Sequence, residues 1–125
     1  MPARRDCGVN VADCLFCRIV AGEVPANIVK QSADALAFRD IDAKAPVHLL
    51  VIPKRHVPAV RDAKGGDGER LLGALLAFAA SVASEEGLDL DGYRIVTNTG
   101  RNAGQSVDHL HLHVLGGRKL SWPPG

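Results

Sequence analysis

Between residues 68 and 86, apolar side chains recur at three- and four-residue spacing. Leu71, Leu72, Leu75, Leu76, Ala79, Val82 and Ala83 form one stripe, and polar residues fill the other side. That period predicts an amphipathic helix lying on a core, with Asp67 as its N-cap and Gly87 as its stop. Residues 107–115 carry a different period. Asp108-His109-Leu110-His111-Leu112-His113-Val114 alternates strictly, which predicts a strand. Three imidazoles project from one face, and Leu110, Leu112 and Val114 face the helix. The apolar run 48–52 closes at Pro53 and predicts a buried strand, because proline cannot donate to a ladder. Shorter strands are predicted over 28–30 and 35–40, around a turn at 31–34, and over 93–98. A short helix is predicted over 14–20, with Asp13 as N-cap and Gly22 as stop. The loop 62–67 reads as a glycine-lengthened surface variation. The tail Trp122-Pro-Pro-Gly125 cannot be regular structure, yet it holds the only tryptophan, so it is expected to dock on something. The fold class is α+β, one domain over 13–125 behind a polar, frayed leader over 1–12.

Composition narrows the class. A chain of 125 residues with 46% hydrophobic and 23% charged residues has material for one real core. A formal net charge of +1 argues against a general polyanion binder, so no nucleic acid is expected as a partner. No run of 18 apolar residues predicts a membrane span, and the first residues show no apolar secretory core. Three cysteines without an export signal point to a reducing, cytoplasmic setting rather than a disulfide framework.

The histidine row is the chemical signal. Imidazoles on one strand face can hold zinc or supply a base and a nucleophile, and spacing alone does not separate the two. The preceding loop carries Gly100, Gly104, Gln105 and Ser106. Glycines let backbone N–H groups curl toward an anion, and Ser106 adds a hydroxyl donor. No phosphate-binding G-x-x-x-x-G-K-[ST] motif occurs. An anion-cradling loop beside a histidine row suggests phosphoryl or nucleotidyl chemistry with histidine as nucleophile. The rival reading is a tri-histidine metal hydrolase whose zinc-bound water attacks. Cys14-x-x-Cys17 can be a redox pair, half of a zinc site, or two core thiols. Cys7 has no assigned role.

Residues 105–114 resemble the signature of the histidine triad (HIT) family, three histidines alternating with apolar residues. Residues 14–25 resemble its opening segment, and 36–41 and 48–56 resemble its two central motifs. The ending, 115–125, is similar to the HINT branch, the purine nucleoside phosphoramidases.

That resemblance implies a five-stranded antiparallel sheet with one long and one short helix, joined to a second sheet across a homodimer. It implies His111 as the nucleophile that attacks an α-phosphorus and forms a nucleotidyl-histidine, which water then hydrolyses. Its other ring nitrogen would be held by a backbone carbonyl. His113 would donate to phosphate oxygens, assisted by Ser106, Gln105 and Asn98, with Gly104 in the nucleotide loop and His48 as a further active-site histidine. Asp40 resembles the family's ribose binder, and Leu15, Phe16, Ile19, Phe38, Ile41 and Leu50 its base pocket. The substrates implied are adenosine or guanosine 5′-phosphoramidates and aminoacyl-adenylates. The alternatives are a dinucleoside polyphosphate hydrolase of the same family and a nucleotide-binding scaffold with incidental turnover. Catalysis would need no metal. Some similar members hold a structural zinc, which here implies Cys14, Cys17, His56 and His109 as ligands. Asp108 and Arg39 depart from the family pattern and add charge near the site.

Overall fold

The structure, a computed structural model, describes residues 11–125. Strands β1 (Ile28–Gln31), β2 (Ala35–Arg39), β3 (Val47–Pro53), β4 (Tyr93–Val96) and β5 (Leu112–Gly116) form one antiparallel sheet in the order β1-β2-β3-β5-β4. Helix α1 (Leu15–Val20) covers one face and the long helix α2 (Gly65–Glu85) the other. This is the α+β architecture that the sequence predicts. No helix among the described residues is long and apolar enough to cross a membrane.

Alternation along β3 separates two cores. Leu49 and Val51 face Leu75, Ala79, Val82 and Ala83 of α2, together with Leu110, Leu112 and Val114. Leu50 and Ile52 face Phe16 and Ile19 of α1, together with Leu36 and Phe38. A strand covered on both faces reads as an unbroken apolar run, which is why 48–52 lacks alternation. Each of these large side chains contributes about 1.5–3 kcal/mol through burial. Leu76 departs from the expected stripe and is exposed.

Element ends differ from expectation for local reasons. Helix α1 is capped by Cys14, not Asp13: the Cys17 N–H donates to the Cys14 thiol sulfur at 3.4 Å. Asp13 lies in a 3-10 turn, Val11–Asp13. Helix α2 begins at Gly65 after Lys64, so Asp67 sits in its first turn instead of capping it, and half of the supposed surface loop is helix. Its end is as read. Gly87 takes φ +79°, its N–H donates to the Ser84 carbonyl, and the Leu88 N–H donates to the Ala83 carbonyl. This pair of bonds is the Schellman arrangement, which favours glycine at the left-handed position. β4 stops at Val96, not 98.

β5 starts at Leu112, not 107. The Leu110 N–H reaches the Val57 carbonyl at 2.7 Å, beyond the end of β3, so the chain leaves the ladder there. The leader expected over 1–12 falls mainly on residues 1–10, which with Cys7 lie outside the described residues. Trp122 is 79% exposed. Arg94 stacks over its ring at 5.8 Å and donates to the Ser121 carbonyl at 2.8 Å. Within one chain the tail is therefore held by Arg94 and not docked in a core.

Candidate active site and cysteine–histidine cluster

Register brings three polar side chains onto the α1 face of the sheet. Phe38 pairs with Leu50, and Leu50 pairs with His113, so the even positions of β2 and β3 and the odd positions of β5 share a face. One step along, the Asp40 N–H donates to the His48 carbonyl at 3.0 Å, placing Asp40 beside His48. Asp40, His48 and His113 thus run diagonally across three neighbouring chain segments.

The protons in this row follow from its partners. The Lys44 N–H donates to His48 Nδ1 at 3.0 Å, so the proton of neutral His48 sits on Nε2. His48 Nε2 lies 2.9 Å from His113 Nδ1 and 3.3 Å from Asp40 Oδ2. These three groups converge closely enough to hold a metal ion. A nitrogen that carries the ring proton is a donor, however, and the arrangement is a His48–His113 hydrogen bond with the Asp40 carboxylate beside it. Burial first, and the neighbouring His111 and His48 next, push His113 down to about 4. Burial also lowers His48, against the raising effect of the Asp40 carboxylate.

His111 is 3% exposed, and its Nδ1–H donates to the His109 carbonyl at 2.7 Å. The Nε2 lone pair is left for chemistry. The ring packs edge-on to Phe16 (5.2 Å) and His113 (5.1 Å). Thr97 Oγ1 donates to the His111 carbonyl at 2.9 Å and fixes the backbone behind it.

Beside this row lies a cavity of about 270 Å³. All six apolar residues singled out from the sequence line it: Leu15, Phe16, Ile19, Phe38, Ile41 and Leu50, joined by Asp40 and Ser106. Leu15 and Ile41 are exposed at its rim. A larger hollow of about 580 Å³, lined by Lys54, Arg55 and Arg70 against α2, contains none of these groups. Asn98 is half-buried just beyond β4.

Gln105 has a different task from the one expected. Its Oε1 accepts from the Gly100 N–H at 2.9 Å, and its Nε2 donates to the Pro58 (2.7 Å) and Val107 (3.0 Å) carbonyls. Gly100 and Gly104 both take positive φ, and the tight turn between them leaves backbone groups that this amide satisfies. Gln105 therefore builds the loop, with neither end turned to the cavity. Arg39 also lines the cavity, as its place before Asp40 leads one to expect. Its guanidinium makes a two-pronged contact with Glu86 at the end of α2, at 3.1 and 3.2 Å.

His109 joins a different cluster from its two companions, although Phe16 packs edge-on to it (5.8 Å) as it does to His111. Its Nε2–H donates to the Pro53 carbonyl at 2.9 Å, so the Nδ1 lone pair points to Cys14 (3.4 Å) and Cys17 (3.5 Å). His56 Nδ1 lies 3.3 Å from Cys17 Sγ. The four ligand atoms all fall within 4.8 Å of one another. Two thiols and two imidazoles form a donor set of the kind that closes around zinc. A tetrahedral zinc with ligands at about 2.0–2.3 Å has edges of about 3.3–3.8 Å, and these contacts fall in that range. The carbonyl partner of His109 is the outer hydrogen bond that fixes a metal-binding tautomer. Among the described residues His109 and His113 fall in two different ligand clusters and His111 in neither.

Acid should weaken the fold through these rings. Burial also holds His109 at about 4, the Pro53 carbonyl opposing. The unfolded chain binds these protons near 6.5, so stability is full above that pH and falls as pH drops toward 4. Each buried histidine costs about 1.4 kcal/mol per pH unit in that window. Metal-stripped protein is expected to be at least about 1.5 kcal/mol less stable at pH 5 than at pH 7 by chemical denaturation. Equal stability at the two pH values would show that the rings are not buried neutral.

Comparison with known proteins agrees with this geometry. The family model described as HIT domain matches residues 21–120. An uncharacterised HIT-like protein of Synechococcus elongatus is 49% identical over 113 residues, covering 90% of this chain and 97% of the relative. The crystal structure of a HIT family hydrolase from Legionella pneumophila superposes with TM-score 0.87 at 49% identity, covering 90% of this chain and all of that one. A histidine triad nucleotide-binding protein from Candida albicans gives TM-score 0.73 at 28% identity, covering 89% and 83%. With its histidines, its sheet and its relatives in agreement, the chain belongs to the HIT domain family.

Proposed function

We propose that the protein is a purine nucleoside phosphoramidase, cleaving the P–N bond of adenosine or guanosine 5′-phosphoramidates through a nucleotidyl-histidine. The carrying observation is His111: its Nδ1–H is tied to a carbonyl at 2.7 Å, so Nε2 is an unprotonated nucleophile beside a cavity lined with apolar residues and Asp40. As Nε2 bonds to phosphorus, the ring gains positive charge, and the His109 carbonyl stabilises it. The P–N electron pair leaves with the amine, which takes a proton from His113 Nε2. Water then attacks the same phosphorus and gives a proton back to His113, and His111 departs as a neutral imidazole. The apolar slot accepts the base face, Asp40 the ribose hydroxyls, and Ser106 and Asn98 the phosphate and leaving group.

Cys14, Cys17, His56 and His109 belong to the same reading as ligands of a structural zinc, whose chemistry is to crosslink α1 to the segments after β3 and before β5. A homodimer completes the reading, since β4 stands at the sheet edge with its outer side unpaired.

The test is hydrolysis of a fluorogenic adenosine phosphoramidate, with rapid quench and mass analysis for AMP carried on His111. Turnover that persists in chelator, with a trapped adduct, is expected. Activity lost to chelator and restored by zinc would overturn the metal-free route, and absence of the adduct under burst conditions would overturn the covalent one.

A further inference from the structure

Cys14 and Cys17 are both unbridged, and their sulfurs share one imidazole nitrogen, His109 Nδ1, at 3.4 and 3.5 Å. The two sulfurs belong to a set of ligand atoms that all lie within 4.8 Å of one another. A disulfide needs them at about 2.05 Å, with the Cα atoms about 4.4–6.8 Å apart. The Arg18 N–H donates to the Cys14 carbonyl at 3.0 Å, so Cys14 and Cys17 stand on one helical turn. Residues three apart on such a turn have Cα atoms about 5 Å apart, and side-chain rotation alone closes the gap.

The two thiols are unequal. Cys14 is 5% exposed, in the core that holds Phe16 and Ile19. Cys17 is half-buried, and a solute meets it first. Its sulfur also lies 3.3 Å from His56 Nδ1. A reachable thiol in contact with imidazole, backed by a second sulfur, is the pairing of a reactive and a resolving cysteine.

We propose that Cys14 and Cys17 form a peroxide-reactive dithiol, attacked at Cys17 and closed by Cys14, whose oxidation releases the zinc that the pair would hold when reduced. The inference goes beyond the phosphoramidase reading, and only the release of the ion rests on the zinc reading. The Cys17 sulfur attacks one peroxide oxygen, the O–O bond breaks, and the departing hydroxide takes a proton to leave as water. The Cys14 sulfur then attacks the sulfenic acid sulfur, the S–O bond breaks, and a second water leaves. Two electrons pass from the sulfur pair to the peroxide. A bridged pair offers no thiolate, so His56 and His109 remain, two ligands where a closed structural site needs four.

Two measurements test this. The first treats zinc-loaded protein with hydrogen peroxide in a Cys7→Ser background, which removes the third thiol of the chain. A chromogenic chelator reads free zinc, and mass analysis reads the denatured chain and its peptides. The expected product is lighter by about 2 Da, the two hydrogens of the pair, with the bridge mapped to Cys14 and Cys17. One zinc per chain is released in step, and dithiothreitol with added zinc reverses both changes. Thiols left reduced, oxygen gained at sulfur without a bridge, or a bridge formed with zinc retained each overturns the proposal.

The second fixes the order of attack with a dione probe of sulfenic acid on folded Cys14→Ser and Cys17→Ser. Label is expected at Cys17 in the first variant, and at least about tenfold less at Cys14 in the second. Equal labelling overturns the order. A protein that carries no zinc would sink the structural-metal reading separately, leaving the mass change to decide the dithiol.

Discussion

Replacing His111 with alanine is expected to reduce turnover of an adenosine phosphoramidate by about ten-thousand-fold or more, the scale on which enzymes lose activity with their nucleophile. The side chain is the row member whose Nδ1–H is committed to a carbonyl, which leaves Nε2 as the attacking atom. Alanine at this place removes both the attacking atom and the carrier of the intermediate. AMP binding should persist, because Phe38, Leu50 and Asp40 line the cavity without help from that ring. Alanine at His113 should cost only about a hundredfold, since an amine leaving group can take its proton from water at a penalty. Steady-state rates beside AMP titrations on folded variants check the pair. A His111→Ala protein within tenfold of wild type would rule out histidine as the nucleophile.

The second large effect concerns stability. Purified protein is expected to carry one zinc per chain, and Cys17→Ser to carry none. An ion that binds only the folded state at a thousand times its dissociation constant adds about 4 kcal/mol, and the variant should lose about that much. Chelator should bring the wild type down to the variant's stability and leave the variant unchanged. The size follows from position. Cys14 caps α1, Cys17 lies one turn on, His56 follows β3, and His109 precedes β5, so one ion would join three chain segments. Metal-free wild type with the same melting curve in zinc and in chelator would return the four residues to the status of core side chains.

Much of this was legible in the residues themselves. The α2 stripe gave a helix because period alone dictates which face is buried, and Leu110, Leu112 and Val114 pack against it as their alternation requires. The slot came from the family resemblance and not from any pattern in the residues, and Leu15, Phe16, Ile19, Phe38, Ile41 and Leu50 all lie along one cavity. What escaped were partners without side-chain identity. The groups that fix the protons of His48, His109 and His111 are the Lys44 N–H and the Pro53 and His109 carbonyls. Any residue type offers the same backbone atoms, so no pattern marks them. Gln105 was ambiguous for the opposite reason: an amide beside glycines suits a ligand, but it equally suits a loop with backbone groups to satisfy, and its side chain bonds Gly100, Pro58 and Val107. Arg39 and Glu86 are 47 positions apart, and only the meeting of β2 with the end of α2 reveals that they neutralise each other.

His109 is attached at both ends to different tasks. Its ring turns toward the thiols while its carbonyl holds His111, the proposed nucleophile. The ring could be exchanged for another side chain and the carbonyl would still exist, chemically unaltered. Its location would not survive so simply, because the ring bonds to Pro53 and the sulfurs are what anchor that stretch of chain. A lineage that discards the two cysteines must therefore rebuild the anchorage by packing before the triad can work again. On the zinc reading, a bound ion and close packing would be two ways of pinning one oxygen atom.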